Sequence, residues 1–302
     1  MQGESKMDGG FGSSGYRRHI ETCNNAEIGR YLPLVVGHER LGWIRRDRLD
    51  RLREFSEAFE VFGHGIRMTG ALFDVDDRTA AIAAVADSLV ASGDIETLRD
   101  ELYPACPIWG ASPRFLFDRS LAPYFGLRAY GVHLNGYVRK DDGLHLWIGR
   151  RAADKAVAPN KLDNTVAGGQ PASLSLKDNL IKECAEEANI PAEMAQKAIP
   201  VGCMTYQYET EKGIKPDCMF CYDLEMPADF VPENTDGEIS EFMLMPAKEV
   251  MAIVRDTDEF KFNCSLSLVS FFIRHGLIDP DSEPDYAYLC EGLAMTQRLH
   301  AD

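Results

Sequence analysis

The sequence predicts an α/β chain in two parts: a small α+β N-terminal domain, then a mixed sheet with helices packed on it. Three observations predict it. Strand-like runs become dense after about residue 127, where helical patterns and short strands give way. A single acidic helical segment sits among those runs, and more helix follows them. The 302 residues, 45% hydrophobic and 26% charged, suffice for two ordinary domains with real cores and no disulfide staple.

Residues 1–15 are rich in Gly and Ser and read as a disordered tail. Residues 16–126 form the first domain. Arg17 to Glu27 has the pattern of a short helix. Leu32 to Val36 and Gly42 to Ile44 read as strands about a turn at Gly37-His38, and Asp47 to Phe55 as helix. Phe59 to Phe62 and Ile66 to Met68 flank Gly63-His64-Gly65 and suggest a hairpin. Thr79 to Ala91 is helical by spacing, Ile95 to Glu101 is a second helical candidate, and Pro104, Pro107 and Pro113 mark a loop.

Residues 127–302 form the second domain. Tyr130 to Arg139 is a strand, Asp142-Gly143 a hairpin turn, and Leu144 to Arg150 the returning strand. Lys161 to Val166 leads into Ala167-Gly168-Gly169. Ser175 to Ala188 has helical periodicity. Val201 to Tyr208, Met219 to Glu225 and Glu241 to Met245 are strand-like, and Ala247 to Val254 and Leu266 to His275 helical.

Lys and Arg total 32 against 48 Asp and Glu, a net charge of −16. Nucleic acid and anionic membrane attract basic surfaces, so neither is an expected partner. A small phosphorylated ligand held by a few cations and a metal remains compatible. There is no apolar run of about 18 residues and no secretory pattern near the start, so no membrane span and a cytoplasmic location with reduced thiols are expected. Cys218 and Cys221 form a C-x-x-C with Cys203 nearby, but a zinc site needs a second pair. His64 reads as a turn residue, and His133 and His145 as strand residues without a role.

Chemistry concentrates in Gly168 to Ile190, GGQPASLSLKDNLIKECAEEANI. At about 100° per residue, Glu183, Glu186 and Glu187 fall within roughly a third of the helix circumference. Leu180, Ile181, Cys184 and Ala188 lie on a neighbouring face suited to docking on a sheet. Crowded carboxylates repel one another unless something neutralises them. A hard divalent cation, Mg²⁺ (or Mn²⁺), does so and commonly bridges carboxylates to a phosphate. The bland alternative is a solvated acidic face.

This segment resembles the box of the Nudix hydrolases, Gly-x5-Glu-x7-Arg-Glu-apolar-x-Glu-Glu-x-Gly-apolar. Gly168, Glu183, Cys184, Glu186, Glu187 and Ile190 match, six of nine positions. Leu174 replaces a Glu, Lys182 the Arg and Asn189 the second Gly. Lys182 keeps the charge without the bidentate fork, and Asn189 is well suited to a left-handed cap. A second resemblance, over about residues 17–285, is to the two-domain Nudix proteins named after thiamine pyrophosphokinase. It rests on YGVHLNGYV (130–138), WIGRR (147–151), LDNTVAGG (162–169), LIKECAEEA (180–188) and DGEISEF (236–242).

The resemblance implies that the second part is an α/β/α sandwich. It implies metal-dependent hydrolysis of a diphosphate linkage in a small organic substrate, with thiamine diphosphate or its damaged analogues as substrate class and the monophosphate as product. Glu183 and Glu187 are the first metal ligands to consider, with Glu186 a third ligand or the residue that orients water. Glu238 and Glu241 are both candidates for a further base or ligand, Glu241 fitting the resemblance slightly better. Arg150, Arg151 and Lys155 are candidates for holding the terminal phosphate. Trp109, Phe115, Phe117, Tyr124 and Phe125 would stack on a heterocycle if they do not simply pack the core, and the first domain is expected to supply aromatic walls. Competing readings are a Nudix hydrolase of another nucleoside or sugar diphosphate, a prenyl diphosphate isomerase, and a sensor that binds a diphosphate without cleaving it. Oligomeric state stays open, a homodimer being compatible.

Overall fold

The computed structural model describes residues 15–294. The tail expected over residues 1–15 falls, but for Gly15, outside them. The first part opens with α1 (Arg17–Cys23), then β1 (Tyr31–Val36), β2 (Glu39–Arg45), α2 (Leu49–Arg53), β3 (Phe59–Phe62), β4 (Gly65–Met68) and α3 (Val75–Ala91). A second hairpin, β5 (Leu102–Ala105) with β6 (Phe115–Asp118), and the short α4 (Ala122–Phe125) complete it. The four-stranded sheet runs β2-β1-β4-β3, with β1 and β4 parallel. Leu34, Ile44, Ile66, Leu89, Phe115, Phe117 and Phe125 meet in one core at 0–1% exposure.

The second part begins with β7 (Tyr130–Lys140), β8 (Gly143–Arg151), β9 (Leu162–Asp163), β10 (Val166–Gly169) and α5 (Leu176–Ala188). There follow α6 (Ala192–Ala195), β11 (Ile199–Thr205), β12 (Tyr208–Thr210), β13 (Gly213–Lys215), β14 (Cys218–Glu225) and β15 (Ile239–Pro246). Helices α7 (Ala247–Asp256), α8 (Cys264–Arg274) and α9 (Tyr286–Ala294) close the described chain. The main sheet runs β11-β14-β7-β8-β15, with β10 also on β7 and β9 on β8. Strands β14 and β7 pair in parallel and their neighbours antiparallel, so the sheet is mixed, as expected.

Alternation along β7 builds the layers. Val132, Leu134 and Val138 pack under α5 with Leu180, Cys184 and Ala188. Tyr137, with Leu146 and Ile148 of β8, joins the core beneath α7 and α8. Strand β7 is buried on both faces from Val132 to Val138, and the α/β/α sandwich follows.

Four local readings change. The Ile95 to Glu101 segment is not helical, because the Asp118 carboxylate takes the N–H groups of Arg99 and Asp100 at 3.0 and 2.8 Å and holds Asp100 left-handed at φ 57°. The proline loop contains the β5–β6 hairpin. Helix α1 ends at Cys23 and packs Ile20 and Cys23 into the second core, not the first, so the cores do not divide the chain at one point. A small ribbon, β12–β13, interrupts the β11-to-β14 connection and grips the first part, where Arg45 and Arg48 donate to the Glu211 and Lys212 carbonyls at 3.0 and 2.8 Å.

Candidate active site

Helix α5 is defined at both ends by its own sequence. Ser175 caps the start, its hydroxyl accepting from the Asp178 N–H at 3.1 Å. Asn189 ends it in the left-handed conformation, φ 52°, while Ile190 N–H reaches back to the Cys184 carbonyl at 2.9 Å. The helix lies across β10. A Cβ on Gly168 would come within 2.2 Å of the Glu183 carboxyl carbon, so glycine is what admits that carboxylate against the strand.

The three glutamates occupy different environments. Glu187 is only 5% exposed and accepts a hydrogen bond from Ala167 N–H at 2.8 Å. Burial pushes its pKa well above the ordinary value; that hydrogen bond opposes the rise, and Asp163, Glu183 and Glu238 reinforce it. Glu183 is partly buried and also raised by burial, against the pull of Lys182. Glu186 is exposed and held by Lys182 Nζ at 2.6 Å, while Lys182 also lies 3.4 Å from Glu183. A buried carboxylate crowded by other carboxylates suits a hard divalent cation, so the residues present fit one.

Glu238 is brought in by the loop before β15. Thr235 Oγ1 donates to the Glu186 carbonyl at 2.5 Å and Glu233 N–H to the Ala188 carbonyl at 3.1 Å, which ties the loop to the end of α5. Glu238 lies within electrostatic reach of Glu187 and pairs with Lys155 at 2.5 Å. Glu241 sits one β-bulge further on, opposite Arg150, and pairs with it at 2.8 Å. Of the two candidates, Glu238 is thus the one gathered with the helix carboxylates.

The cations divide in the same way. Lys155 and Arg150 are partly exposed, each on one carboxylate. Arg151 is 7% exposed and committed to Asp163 at 2.6 Å and to the Val157 and Ala158 carbonyls, which turns it away from solvent. Asp163, His133 and Cys264 come together in the core, their ligand-type atoms within 4.8 Å. Arg151 and Lys261, the latter at 3.4 Å, already balance Asp163, and His133 is pushed down to about 4 chiefly by burial, then by Lys261. A metal ion there would meet two resident cations, so this cluster reads as a buried polar network.

Phe115, Phe117, Tyr124 and Phe125 are buried in the first core. Trp109 is 41% exposed and lies against Tyr130 and Phe220 at 4.7 and 4.8 Å between centroids. Sequence reasoning missed three residues that the β5–β6 hairpin brings to the carboxylates: Glu101, Tyr103 and Arg119. Glu101 lies within electrostatic reach of Glu183, and the Tyr103 hydroxyl touches the Gly169 backbone. No sequence signal marks them, since their segment reads as helix and loop.

A family model described as "Domain of unknown function (DUF4743)" matches residues 15–129. The chain is 41% identical over 277 residues to "Nudix hydrolase 24, chloroplastic" of Arabidopsis thaliana, covering 90% of this chain and 76% of that one. It is 40% identical over 280 residues to "Nudix hydrolase 20, chloroplastic" of the same plant, covering 89% and 75%. Among solved structures, the Nudix domain of Shewanella oneidensis NrtR complexed with ADP ribose matches with a TM-score of 0.40 and 13% identity, over 51% of this chain and 91% of that one. The cytoplasmic location expected from the sequence is overturned by relatives at 41% and 40% identity named as chloroplastic. Reduced thiols and the lack of a long apolar run do not distinguish those compartments. Among the described residues, no helix is long and apolar enough to cross a membrane.

Proposed function

Given that the chain belongs to the Nudix hydrolase family, we propose that it cleaves a diphosphate linkage in a small organic substrate with the help of a divalent cation. Thiamine diphosphate or a damaged analogue is the substrate class we favour, on the resemblance to the two-domain Nudix proteins named after thiamine pyrophosphokinase. The observation that carries the reading is Glu187: a buried carboxylate with Glu183 and Glu238 in its field.

In this reading Glu183 and Glu187 hold Mg²⁺ or Mn²⁺, and Glu186, tethered by Lys182, completes or orients the set. The bound cation would neutralise charge developing on the phosphoryl oxygens and acidify an attacking water. Glu238, outside the helix but tied to it and paired with Lys155 at 2.5 Å, is the residue we assign to accept that water's proton. Gly168 lets Glu183 reach the strand, and the Ala167 N–H aims Glu187.

The test is chromatographic detection of monophosphate products from a panel of diphosphates with Mg²⁺: thiamine diphosphate, its oxidised analogues, ADP-ribose and nucleoside diphosphates. Cleavage that disappears in Glu187→Gln supports the reading. Tight binding without cleavage of any member would replace it with a sensor.

A further inference from the structure

The first domain reaches the carboxylate helix through the β5–β6 hairpin. Ala172 N–H donates to the Leu102 carbonyl at 2.8 Å, and Tyr103 abuts Gly169. Just beyond β6, Arg119 Nη1 donates to Glu101 Oε2 at 2.5 Å, and its backbone N–H to the Glu101 carbonyl at 3.0 Å. Its guanidinium carbon lies 5.9 Å from the Tyr103 ring centroid and within electrostatic reach of Glu238. The side chain is 48% exposed and so open to a ligand from solvent. Its Nε and Nη2 groups meet no acceptor among the described residues.

The segment is built to hold this arginine still. Asp118 accepts from the N–H groups of Arg99, Asp100 and Ser120, clamping the strand end that carries Arg119 to the one that carries Glu101. A diphosphate approaching Glu183, Glu187 and Glu238 meets repulsion that one metal ion only partly relieves. A pre-placed guanidinium with two open N–H directions matches phosphoryl oxygens in geometry and charge. Lys182 and Lys155 commit their one ammonium to carboxylates, Arg150 commits two nitrogens to Glu241 and the Asn160 carbonyl, and Arg151 is buried, whereas Arg119 commits only Nη1, to Glu101.

We propose that Arg119, a residue of the first domain, binds a phosphoryl group of a substrate diphosphate held at the α5 carboxylates, with Glu101 as its positioning residue. This deepens the proposed function and rests on the diphosphate binding at those carboxylates.

The experiment is calorimetric binding of inorganic imidodiphosphate, in excess Mg²⁺, to the full chain and its variants, alongside steady-state kinetics on whichever panel member is cleaved. Arg119→Ala is expected to weaken binding at least tenfold and to raise KM more than it lowers kcat. Arg119→Lys should recover part of the binding, and Glu101→Gln should raise KM several-fold with an unchanged melting temperature. Wild-type binding and KM in Arg119→Ala would overturn the inference while leaving the hydrolase reading intact. Turnover that survives in Glu187→Gln would instead overturn that reading. If Arg119→Ala does not fold, Arg119→Lys decides: wild-type binding and KM count against the inference, and weakened binding in a chain of unchanged melting temperature supports it.

Discussion

The Tyr103 hydroxyl of the first domain rests on the Gly169 backbone of the second, where a Cβ would stand 1.6 Å from that oxygen. The contact joins the β5–β6 hairpin to β10, the strand against which α5 sets its carboxylates. Gly169→Ala is expected to push the hairpin off the strand. Overpacking of this kind costs about 1–3 kcal/mol. Thermal melting should show the loss, and kinetics a raised KM. A variant with wild-type melting and KM would show that the hairpin's seat is not needed.

Glu187 is held buried at an unfavourable charge. Glu187→Gln should therefore stabilise the metal-free chain, by on the order of 2–4 °C in melting temperature per kcal/mol. Mg²⁺ should raise the melting temperature of the wild type and leave the variant nearly unmoved. Turnover should fall about 10²–10³-fold. An equal Mg²⁺ response in both proteins would place the ion elsewhere.

Glu238 and Glu241 are three residues apart and are separated by their surroundings. Glu238→Gln should lower kcat about 10²-fold, the scale of a lost general base. Glu241→Gln removes only a partner of Arg150 on an exposed strand face and should change kcat less than about threefold. Rate measurements in which the two effects are reversed would move the proton acceptor to Glu241.

Asp163 is the counter-charge of Arg151 and Lys261, whose side chains are 9% and 14% exposed. Asp163→Asn leaves both cations without it and should cost about 3–5 kcal/mol. Urea denaturation should show the lower midpoint. A loss below about 1 kcal/mol would mean that water reaches these cations.

His133 is held neutral, its pKa pushed down to about 4 mainly by burial and then by Lys261. As the pH falls from the ordinary 6.5 toward 4, the unfolded chain takes up a proton that the native chain refuses. This contribution to stability should fall through that window, while Glu183 and Glu187, their pKa values raised by burial, contribute with the opposite sign. His19, lowered chiefly by burial, acts with the same sign as His133. His133→Gln should flatten the dependence of the urea midpoint on pH without abolishing it. An equally steep dependence in the variant would assign the effect to other groups.

Helix α5 and its carboxylates were legible because their signals are local. The 3.6-residue periodicity, the carboxylate spacing and an Asn189 suited to a left-handed cap act within a few residues of one another. The strands β7, β8 and β14 were legible for the same reason. Ile95 to Glu101 was misread because a side chain nearly twenty residues away, Asp118, captures its backbone. That α1 packs Ile20 and Cys23 into the second core was not legible, because periodicity shows that a face is apolar and not what will cover it.

The sequence by itself determined the α/β architecture on a mixed sheet, the carboxylate helix and its match to the Nudix box. Those depend on patterns within one element and on spacing that chemistry constrains. Only the tertiary structure decided that Arg151 is buried with Asp163, that Glu238 lies in the field of Glu187, and that Glu101 comes within electrostatic reach of Glu183 from the β5–β6 hairpin. Each of these depends on contacts between segments distant in sequence. Side-chain burial and electrostatic reach are properties of the folded arrangement, and residue identity alone does not carry them.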